Sequence, residues 1–322
     1  MSVRVAFLGA GGIAKTHMDI LAKMDDVRMV AFCDVDPQRA NEAANQYDGR
    51  AYTDFREMLE KEDFEALYVC LPPFAHEDQE LLATKKGIHL FVEKPVALDA
   101  ETADRVSEAI EKNGTISSVG YNWRYLDLTG RMAEVLKRKK ISFALGSWIG
   151  GFVSVPWWRV MGKSGGQMVE QTTHIFDLAR YFLGEVKTVY AIANSGTMLD
   201  IPEYDIHDSS TVSLFFHSGA ICNITSACIA GQSPMVALKV YTRDLTVEND
   251  YQRLTIYRPG HREVIENGNN PYLEEDKAFI DAVRTGDTSK IHSTYSDAVR
   301  TLKVTLAANE SIKGGKPVQL QY

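Results

Sequence analysis

The stretch Val3-Arg4-Val5-Ala6-Phe7-Leu8-Gly9-Ala10-Gly11-Gly12-Ile13-Ala14-Lys15-Thr16-His17 decides the fold of the chain. An apolar run typical of a buried strand ends in glycines, and a helical pattern follows. Gly9, Gly11 and Ala14 are the small residues of a Gly-x-Gly-x-x-(Gly/Ala) turn. The first permits the turn, the second lets a pyrophosphate approach the backbone, and the third keeps the helix close to the strand. Gly12 and Ile13 would open that helix, whose unpaired N–H groups attract phosphate. The stretch therefore predicts a dinucleotide-binding strand, turn and helix.

Asp34 follows the next predicted strand, residues 28–33, at the distance from the glycines where a ribose-binding carboxylate is expected. A carboxylate there accepts hydrogen bonds from the ribose hydroxyls of NAD and repels the 2′-phosphate of NADP. Val35 comes next, so no arginine or serine stands directly after Asp34 to bind that phosphate. We therefore expect NAD as the cofactor. NADP ranks second, because Arg39 is near enough in sequence to contact a phosphate.

Composition and charge restrict the class of protein. The 322 residues are enough for two domains. A formal net charge of −8 argues against a nucleic-acid or anionic-membrane partner. No apolar run reaches the roughly 18 residues of a membrane helix. The four cysteines form no Cys-x-x-Cys pair, and the N-terminus leads directly into a strand. We therefore expect reduced thiols, no signal peptide and a cytoplasmic location.

Strand and helix patterns alternate over residues 3–120. Strands are predicted at 3–8, 28–33, 66–71, 88–92 and 115–119. This alternation predicts a Rossmann-type parallel sheet with helices on both faces. Ligands bind such a sheet beyond the carboxyl ends of its strands.

The second half of the chain has a different pattern, with consecutive strands and a helix predicted at 168–182. The strands are predicted at 141–150, 188–194, 211–217, 220–228, 235–241, 245–249 and 253–257, with hairpin turns at 217–220 and 242–244. The fold class is therefore α/β. We expect a Rossmann domain over residues 1–122, then an α/β domain with a large, mainly antiparallel open sheet over residues 123–322. The C-terminal helix is able to pack back on the first domain.

An open sheet needs a cover on each apolar face, and few helices are predicted in the second domain. Alternate residues of 220–228 are mostly apolar or small. We expect this sheet to pair subunits into a homodimer or homotetramer. A monomer with a solvated sheet face is the alternative.

Glu93-Lys94-Pro95 directly follows the apolar run at 90–92. A lysine at the carboxyl end of a parallel strand lies at the nucleotide cleft, where it is placed to meet a substrate. Pro95 favours an extended backbone at Lys94.

The predicted helix at 168–182 carries Glu170, His174 and Asp177. These residues are four and three positions apart, so they share one face of a continuous helix. An imidazole beside carboxylates is suited to exchange a proton near neutral pH. The spacing therefore indicates an acid/base site.

Together these motifs resemble the Gfo/Idh/MocA family of NAD(P)-dependent oxidoreductases over nearly the whole chain. The resemblance rests on Gly9 to Ala14 with His17, Leu71-Pro72-Pro73 with His76, Glu93-Lys94-Pro95, Gly120-Tyr121-Asn122-Trp123-Arg124-Tyr125, and Gly165-Gly166 followed by Glu170, His174 and Asp177. It implies hydride transfer between a nicotinamide and a hydroxyl-bearing carbon of a sugar, an inositol or a related polyol. It also implies that Lys94 positions and polarises the reacting oxygen and that His174 is the acid/base. Glu170 is the third catalytic candidate.

Motif chemistry and this resemblance give the remaining candidate residues. The cofactor-binding candidates are Gly9, Gly11, Gly12, Ile13, Asp34, Leu71, Pro72, His76, Glu93, Lys94 and Asn122. The substrate-binding candidates are Lys94, Arg124, Trp158, His174 and Asp177. Trp157-Trp158 either stacks on a sugar ring or packs in the core. His17 and His76 are expected to orient or pack rather than to catalyse.

Glu170 and Thr172 depart from the family pattern, where an aspartate and a glycine are usual, and this leaves the substrate open. Three other interpretations also stay open. Glu170, His174 and Asp177 offer metal ligands, but Lys94 would repel a cation, so no metal is expected. A glycosidase that oxidises its substrate transiently with bound NAD would show no net cofactor turnover. A non-catalytic sugar or NAD sensor would have lost the catalytic pair.

Overall fold

The computed structural model describes residues 2–322. The strands are β1 Val3–Leu8, β2 Val27–Cys33, β3 Arg50–Tyr52, β4 Ala66–Val69, β5 His89–Val92, β6 Ser117–Val119, β7 Phe143–Ile149, β8 Val186–Asn194, β9 Ser209–Phe216, β10 Ile221–Ala227, β11 Met235–Tyr241, β12 Thr246–Asn249, β13 Arg253–Arg258, β14 His261–Glu266 and β15 Val318–Gln319. The α-helices are α1 Gly12–Leu21, α2 Pro37–Tyr47, α3 Phe55–Lys61, α4 Gln79–Lys85, α5 Ala100–Asn113, α6 Asp127–Leu136, α7 Met161–Ser164, α8 Gln167–Glu170, α9 Thr173–Leu183, α10 Pro271–Thr285 and α11 Tyr295–Gly314. Short 3₁₀ turns occur at Pro73–Ala75 and Asn122–Tyr125.

The chain divides into two compact units. The first contains the chain up to Ala97, Glu101–Tyr125 and Asn270–Val299. The second contains Leu98–Ala100, Leu126–Asn269 and Arg300–Tyr322. A segment from the last quarter of the sequence, which includes α10, therefore belongs to the first unit.

The first unit is built on a parallel six-stranded sheet in the order β3-β2-β1-β4-β5-β6. Rings of Phe32, Phe7, Tyr68 and Phe91 follow one another across β2, β1, β4 and β5, with centroids 6.0, 4.9 and 4.7 Å apart. Phe279 of α10 packs edge-on against Tyr68 and Phe91 at 5.6 and 5.7 Å. Helix α10 is therefore part of the core that supports the carboxyl edge of this sheet.

The second unit is built on a nine-stranded sheet in the order β14-β13-β12-β11-β7-β10-β9-β8-β15. Its neighbouring strands are antiparallel except for β7 and β10, which run parallel. Burial alternates along β9, where Val212, Leu214 and Phe216 are buried and the residues between them are more exposed. Helix α9 packs against the inner face at β7, β10 and β11. This face fixes the position of α9 and of its polar residues.

The predicted fold class is confirmed, and the differences lie in individual elements. The hairpin turns at 217–220 and 242–244 are confirmed by the backbone hydrogen bonds from Phe216 to Ala220 and from Thr242 to Leu245. The prediction omitted β3, β14, β15, α6 and α7. Three-residue or two-residue strands are too short to show a period, and this explains β3 and β15. Among residues 2–322, no helix combines the length and apolar character that crossing a bilayer demands.

Candidate active site

The glycine turn joins β1 to α1 at the carboxyl edge of the parallel sheet. Gly9 has a φ of +91°, and a Cβ there would lie 2.4 Å from the carbonyl oxygen of Cys70. Gly11 is the N-cap of α1, no side chain caps this helix end, and nothing lies within 4 Å of a Cβ built on Gly11. Gly12 and Ile13 form the first turn of α1. An uncapped helix N-terminus beside open space is the environment that a pyrophosphate requires.

The two glycines should therefore respond differently to one added methyl group. Gly9→Ala forces a side chain against fixed backbone at positive φ, so we expect it to lower the free energy of unfolding by about 3 kcal/mol or more. The methyl group of Gly11→Ala meets no neighbour, so this substitution should lower the free energy of unfolding by no more than about 1 kcal/mol. Its methyl group would instead fill the phosphate space, and NAD should bind about tenfold or more weakly.

Urea unfolding and NAD titration of both variants check this difference. Gly9→Ala reports the steric requirement of the fold, and Gly11→Ala reports the space that the pyrophosphate requires. Equal stability of the two variants would contradict the geometry of Gly9, and unchanged NAD affinity in Gly11→Ala would contradict the phosphate site.

The Asp34 carboxylate lies directly beside the glycine turn. Its Oδ2 accepts a hydrogen bond from the backbone N–H of Ala10 at 2.8 Å, and its Oδ1 accepts one from Asp36 at 2.9 Å. These bonds fix the carboxylate at the end of β2. An ionised carboxylate oxygen accepts more than one hydrogen bond, so both oxygens can still accept from a ribose diol. Gly11 leaves space for a pyrophosphate, and Asp34 is placed to accept hydrogen bonds from the adenosine ribose, so together they fit the adenosine diphosphate half of NAD.

The segment after β4 carries Leu71, Pro72 and His76. The carbonyl of Pro72 accepts from the N–H of Ala75 at 2.9 Å, which closes the 3₁₀ turn. A Cβ built on Gly9 would lie 3.5 Å from Leu71 Cδ2, so this segment borders the glycine turn. His76 Nδ1 lies 2.5 Å from Glu80 Oε1, and both side chains are buried. The segment therefore lies at the predicted edge, and α4 holds the imidazole of His76.

Glu93 and Lys94 follow β5 at the same edge of the sheet. The N–H of Glu93 donates to the carbonyl of Val69 at 2.9 Å, which continues the pairing with β4. Glu93 Oε2 accepts from the backbone N–H of Lys94 at 3.2 Å. Lys94 is half-buried, and the Lys94–Pro95 peptide bond is cis. Because β5 lies two strands from β1, Lys94 belongs to the edge where the glycine turn lies.

Asn122 and Arg124 lie in the 3₁₀ turn after β6 and are only 3% and 5% exposed. Within the first unit, the Arg124 guanidinium donates to the carbonyl of His292 at 2.6 Å and pairs with Asp297 at 2.6 Å. These contacts anchor the turn to the segment before α11 and to the first turn of that helix. The two contacts hold the Arg124 guanidinium within the first unit.

His174 lies in α9 with its ring stacked on Trp148 of β7. The ring centroids are 5.7 Å apart, the planes differ by 22°, and the residue is 9% exposed. Such a stack limits the rotation of the imidazole. The aromatic surface of β7 therefore sets the direction in which the ring nitrogens point.

Asp177 lies three positions after His174 and is buried in a polar network of the second unit. Its Oδ1 accepts from the hydroxyl of Thr301 at 2.9 Å and lies 4.0 Å from Arg180 Nη1. Arg180 also donates to both carboxylate oxygens of Glu185 at 2.8 and 3.1 Å. Asp177 is thereby tied to α11 as well as to α9.

The prediction of one continuous helix over 168–182 is wrong. Helix α8 ends at Glu170, and α9 begins at Thr173. At the junction the N–H of Thr172 donates to the carbonyl of Gln167, five residues back, at 2.8 Å, which departs from the α-helical spacing of four. Glu170 and His174 therefore belong to different helices, and the argument that they share one helical face fails.

Glu170 is instead tied to Trp158, whose indole N–H donates to Glu170 Oε2 at 2.5 Å. The Trp158 ring is 1% exposed and packs with Ile206 and Cys228 in a small satellite core. The described contacts of Trp158 are thus those of a packed ring that orients a carboxylate.

Two acidic residues of α10 were not singled out from the sequence. Glu275 and Asp276 are fully buried, whereas acidic residues on a predicted helix are normally assigned to its solvent face. Asp276 lies three and four positions before Phe279 and Ile280, so it falls on the apolar stripe of α10. That spacing is the one sequence signal that could have identified it. His17, expected to orient or pack, contacts Asp276 and Glu93.

Comparisons with known proteins agree with this architecture. A family profile described as "Oxidoreductase family, NAD-binding Rossmann fold" matches residues 3–121, and one described as "GFO/IDH/MocA C-terminal domain" matches residues 144–248. The relatives include a myo-inositol 2-dehydrogenase of Thermotoga maritima, 26% identical with 99% of each chain covered. They also include a scyllo-inositol 2-dehydrogenase (NAD(+)) of Bacillus subtilis, 26% identical with 99% of this chain and 96% of the relative covered.

A solved structure of levoglucosan dehydrogenase in complex with NADH matches with a TM-score of 0.90 at 18% identity, and all of each chain is covered. At this identity the likeness concerns the fold alone. The two family profiles cover the parallel-sheet region and most of the antiparallel sheet, in the order in which the structure presents them. The chain therefore belongs to the Gfo/Idh/MocA family of oxidoreductases, and its first domain is that family's NAD-binding Rossmann fold.

Proposed function

We propose that the protein is an NAD-dependent dehydrogenase that acts on a hydroxyl-bearing carbon of a sugar, an inositol or a related polyol. The position of Lys94 carries the proposal, because this lysine is the second residue after β5, at the carboxyl edge of an NAD-binding sheet. The inositol dehydrogenases that align over nearly the whole chain support the polyol class.

Lys94 and His174 have complementary roles in this proposal. As a hydroxyl becomes a carbonyl, negative charge builds on its oxygen, and the Lys94 ammonium stabilises that charge. The imidazole of His174 takes the hydroxyl proton, or returns it in the reverse direction. NAD, when bound, supplies the hydride acceptor. The stack on Trp148 limits the imidazole to few orientations, which reduces the entropy lost when the substrate is aligned.

Glu170 and Asp177 are proposed to assist His174. A carboxylate near an imidazole favours its protonated form and therefore its function as a base. The indole of Trp158 holds Glu170, and Thr301 holds Asp177. Glu170 remains the third catalytic candidate, and Arg124, Trp158 and Asp177 remain substrate-side candidates.

Absorbance of the reduced nicotinamide tests the proposed function directly. The purified protein is offered a panel of inositols, sugars and glycosides with NAD. Net reduction of NAD by an inositol or sugar is the expected result. Release of an aglycone without net reduction would point to a glycosidase, and binding without either change would point to a sensor. Both of these outcomes would contradict the dehydrogenase.

Asp34 supports a preference for NAD over NADP. Its carboxylate is fixed beside the glycine turn by Ala10 and Asp36, where it would repel a 2′-phosphate. The same assay with each cofactor should give a higher kcat/KM for NAD. A clear advantage for NADP would contradict this assignment.

The outer face of the second sheet supports a homodimer or homotetramer. Apolar side chains that are 39–55% exposed lie on β7 to β11, namely Leu145, Tyr190, Ile192, Phe215, Ile221 and Met235. Cross-strand pairing places Ile221 beside Phe215 and Phe143 on one face. A surface of this kind marks an interaction site.

The unbridged, buried cysteines also support the proposed cytoplasmic location.

Sedimentation equilibrium is expected to find a dimer or a tetramer. Ile221→Arg places a charge in the middle of the face and should shift the protein toward smaller species. A monomeric wild-type protein at micromolar concentration would contradict the proposal.

A further inference from the structure

A buried cluster of ionisable side chains lies behind Glu93 in the first unit. His17 Nε2 lies 3.0 Å from Glu93 Oε1, and His17 Nδ1 lies 2.8 Å from Asp276 Oδ1. Among residues 2–322, His17, Glu93 and Glu275 also present nitrogen or oxygen atoms within 4.8 Å of one another. The rings of Tyr68, Phe91 and Tyr272 surround the imidazole, with centroids 5.5, 4.9 and 6.0 Å away. The cluster is therefore charged but enclosed by aromatic groups.

His17 is the positive member of this cluster. Ionised carboxylates only accept hydrogen bonds, and only a protonated imidazole has two N–H donors. Since both ring nitrogens contact carboxylates, the geometry favours the imidazolium form of His17. Burial alone would lower the pKa of His17, but Asp276 and Glu93 raise it well above its ordinary value. With both carboxylates ionised, the three residues together carry one net negative charge, although burial raises the pKa of Asp276.

Glu275 is the neutral member. It is fully buried, and neither of its carboxylate oxygens has a hydrogen-bond partner among residues 2–322. Ionisation would place a second uncompensated negative charge among aromatic rings, which is unfavourable. Burial, reinforced by Glu93 and Asp276, raises the pKa of Glu275 well above its ordinary value, although His17 opposes this effect. Burial without a hydrogen-bond partner therefore favours the protonated form of Glu275.

Glu93 connects this cluster to Lys94. While Oε1 faces His17, Oε2 accepts from the backbone N–H of Lys94 at 3.2 Å. Gly120 leaves the space that the carboxylate occupies, because a Cβ on Gly120 would lie 2.6 Å from Oε1 and 2.9 Å from Oε2. The orientation of Glu93 is thus fixed from three sides.

We propose that His17 and Asp276 are positioning residues for Lys94, acting through Glu93, with a protonated Glu275 beside them. The proposal rests on the function proposed for Lys94. The imidazolium holds one oxygen of Glu93, so the other oxygen stays on the Lys94 backbone and fixes where that residue leaves the strand. A divalent cation would need the same side chains. To bind it, His17 would have to lose its proton, and one ring nitrogen would have to exchange its contact with a carboxylate for the cation.

Three variants separate these roles. His17→Gln removes the imidazolium, and Gly120→Ala displaces the Glu93 carboxylate without changing any charge. Both should lower kcat, normalised to NAD-binding sites, about 10- to 100-fold. Their Kd for NAD should stay within about threefold, since the glycine turn is unchanged. Glu275→Gln imitates a protonated carboxyl of the same shape and should keep kcat within about twofold. Should His17→Gln fail to fold, Gly120→Ala carries the test.

Two further measurements need no substrate. Competitive labelling with peptide mass spectrometry gives the rate at which Lys94 is acetylated. This rate should change about threefold or more in His17→Gln and stay unchanged in Glu275→Gln. The infrared spectrum of the wild type should contain a buried protonated-carboxyl band that Glu275→Gln removes. Changed labelling without any polyol turnover would fault the proposed function but support the positioning network.

Specific outcomes would overturn the inference. Unchanged Lys94 labelling in His17→Gln would remove the positioning role. Absence of the infrared band, or a loss of kcat in Glu275→Gln as large as in His17→Gln, would show that Glu275 is ionised. If the purified wild type held one divalent metal ion per chain and Glu275→Gln did not, a cation rather than a proton would neutralise Glu275.

Discussion

Lys94→Ala is expected to lower kcat about 10³-fold, because it removes the charge that stabilises the reacting oxygen in the transition state. The Kd for NAD should change by less than about threefold, since the glycine turn and Asp34 remain in place. Steady-state absorbance of NADH gives kcat, and titration with NAD gives the Kd. The result would be a catalytic loss without a cofactor-binding loss.

Lys112→Ala is the matched control, because this lysine is exposed near the end of α5. It should keep wild-type turnover and stability. If Lys94→Ala turned over as fast as this control, Lys94 would have no role in the chemical step.

His174→Ala is expected to lower kcat about 10²- to 10⁴-fold, the range for loss of a general base. Oxidation of a hydroxyl requires a neutral imidazole as the base, so wild-type kcat should rise with pH as the imidazole loses its proton. The variant should lose that limb of the pH profile. Measurement of kcat from pH 5 to pH 9, on the order of the window in which an imidazole titrates, checks both features.

His261→Ala serves as the control, because this histidine is exposed on β14 of the same unit. It should leave the profile unchanged. A pH limb that survived in His174→Ala would assign the proton transfer to another group.

The glycine turn could be predicted from the sequence because its requirements are local. The positive φ of Gly9 and the uncapped start of α1 depend on a few neighbouring residues. The position of Lys94 at the sheet edge followed from one apolar strand that is followed directly by Glu93 and Lys94. Both conclusions needed only that parallel strands align their carboxyl ends.

The break between α8 and α9 could not be predicted, because the helical spacing of polar residues continues across it. The break depends on one backbone bond from Thr172 to Gln167, and a pattern of side chains does not reveal such a bond. It changes the interpretation of Glu170, which contacts Trp158 from a separate helix. His174 and Asp177, which share α9, retain the spacing argument.

The buried cluster around His17 could not be predicted for a different reason. Asp276 lies 259 positions from His17 along the chain, and its burial depends on α10 packing against the first sheet. A carboxylate on a helix gives no local sign that its partner is an imidazole elsewhere. Only the tertiary structure brings them together.

A crystal structure with NAD and the polyol identified in the assay tests the central claim most directly. We expect Lys94 Nζ and one ring nitrogen of His174 to lie within about 3.2 Å of the same substrate hydroxyl oxygen, the distance that proton transfer and charge stabilisation require. A complex in which either nitrogen lies beyond about 5 Å from that oxygen, with no bridging water, would contradict the account.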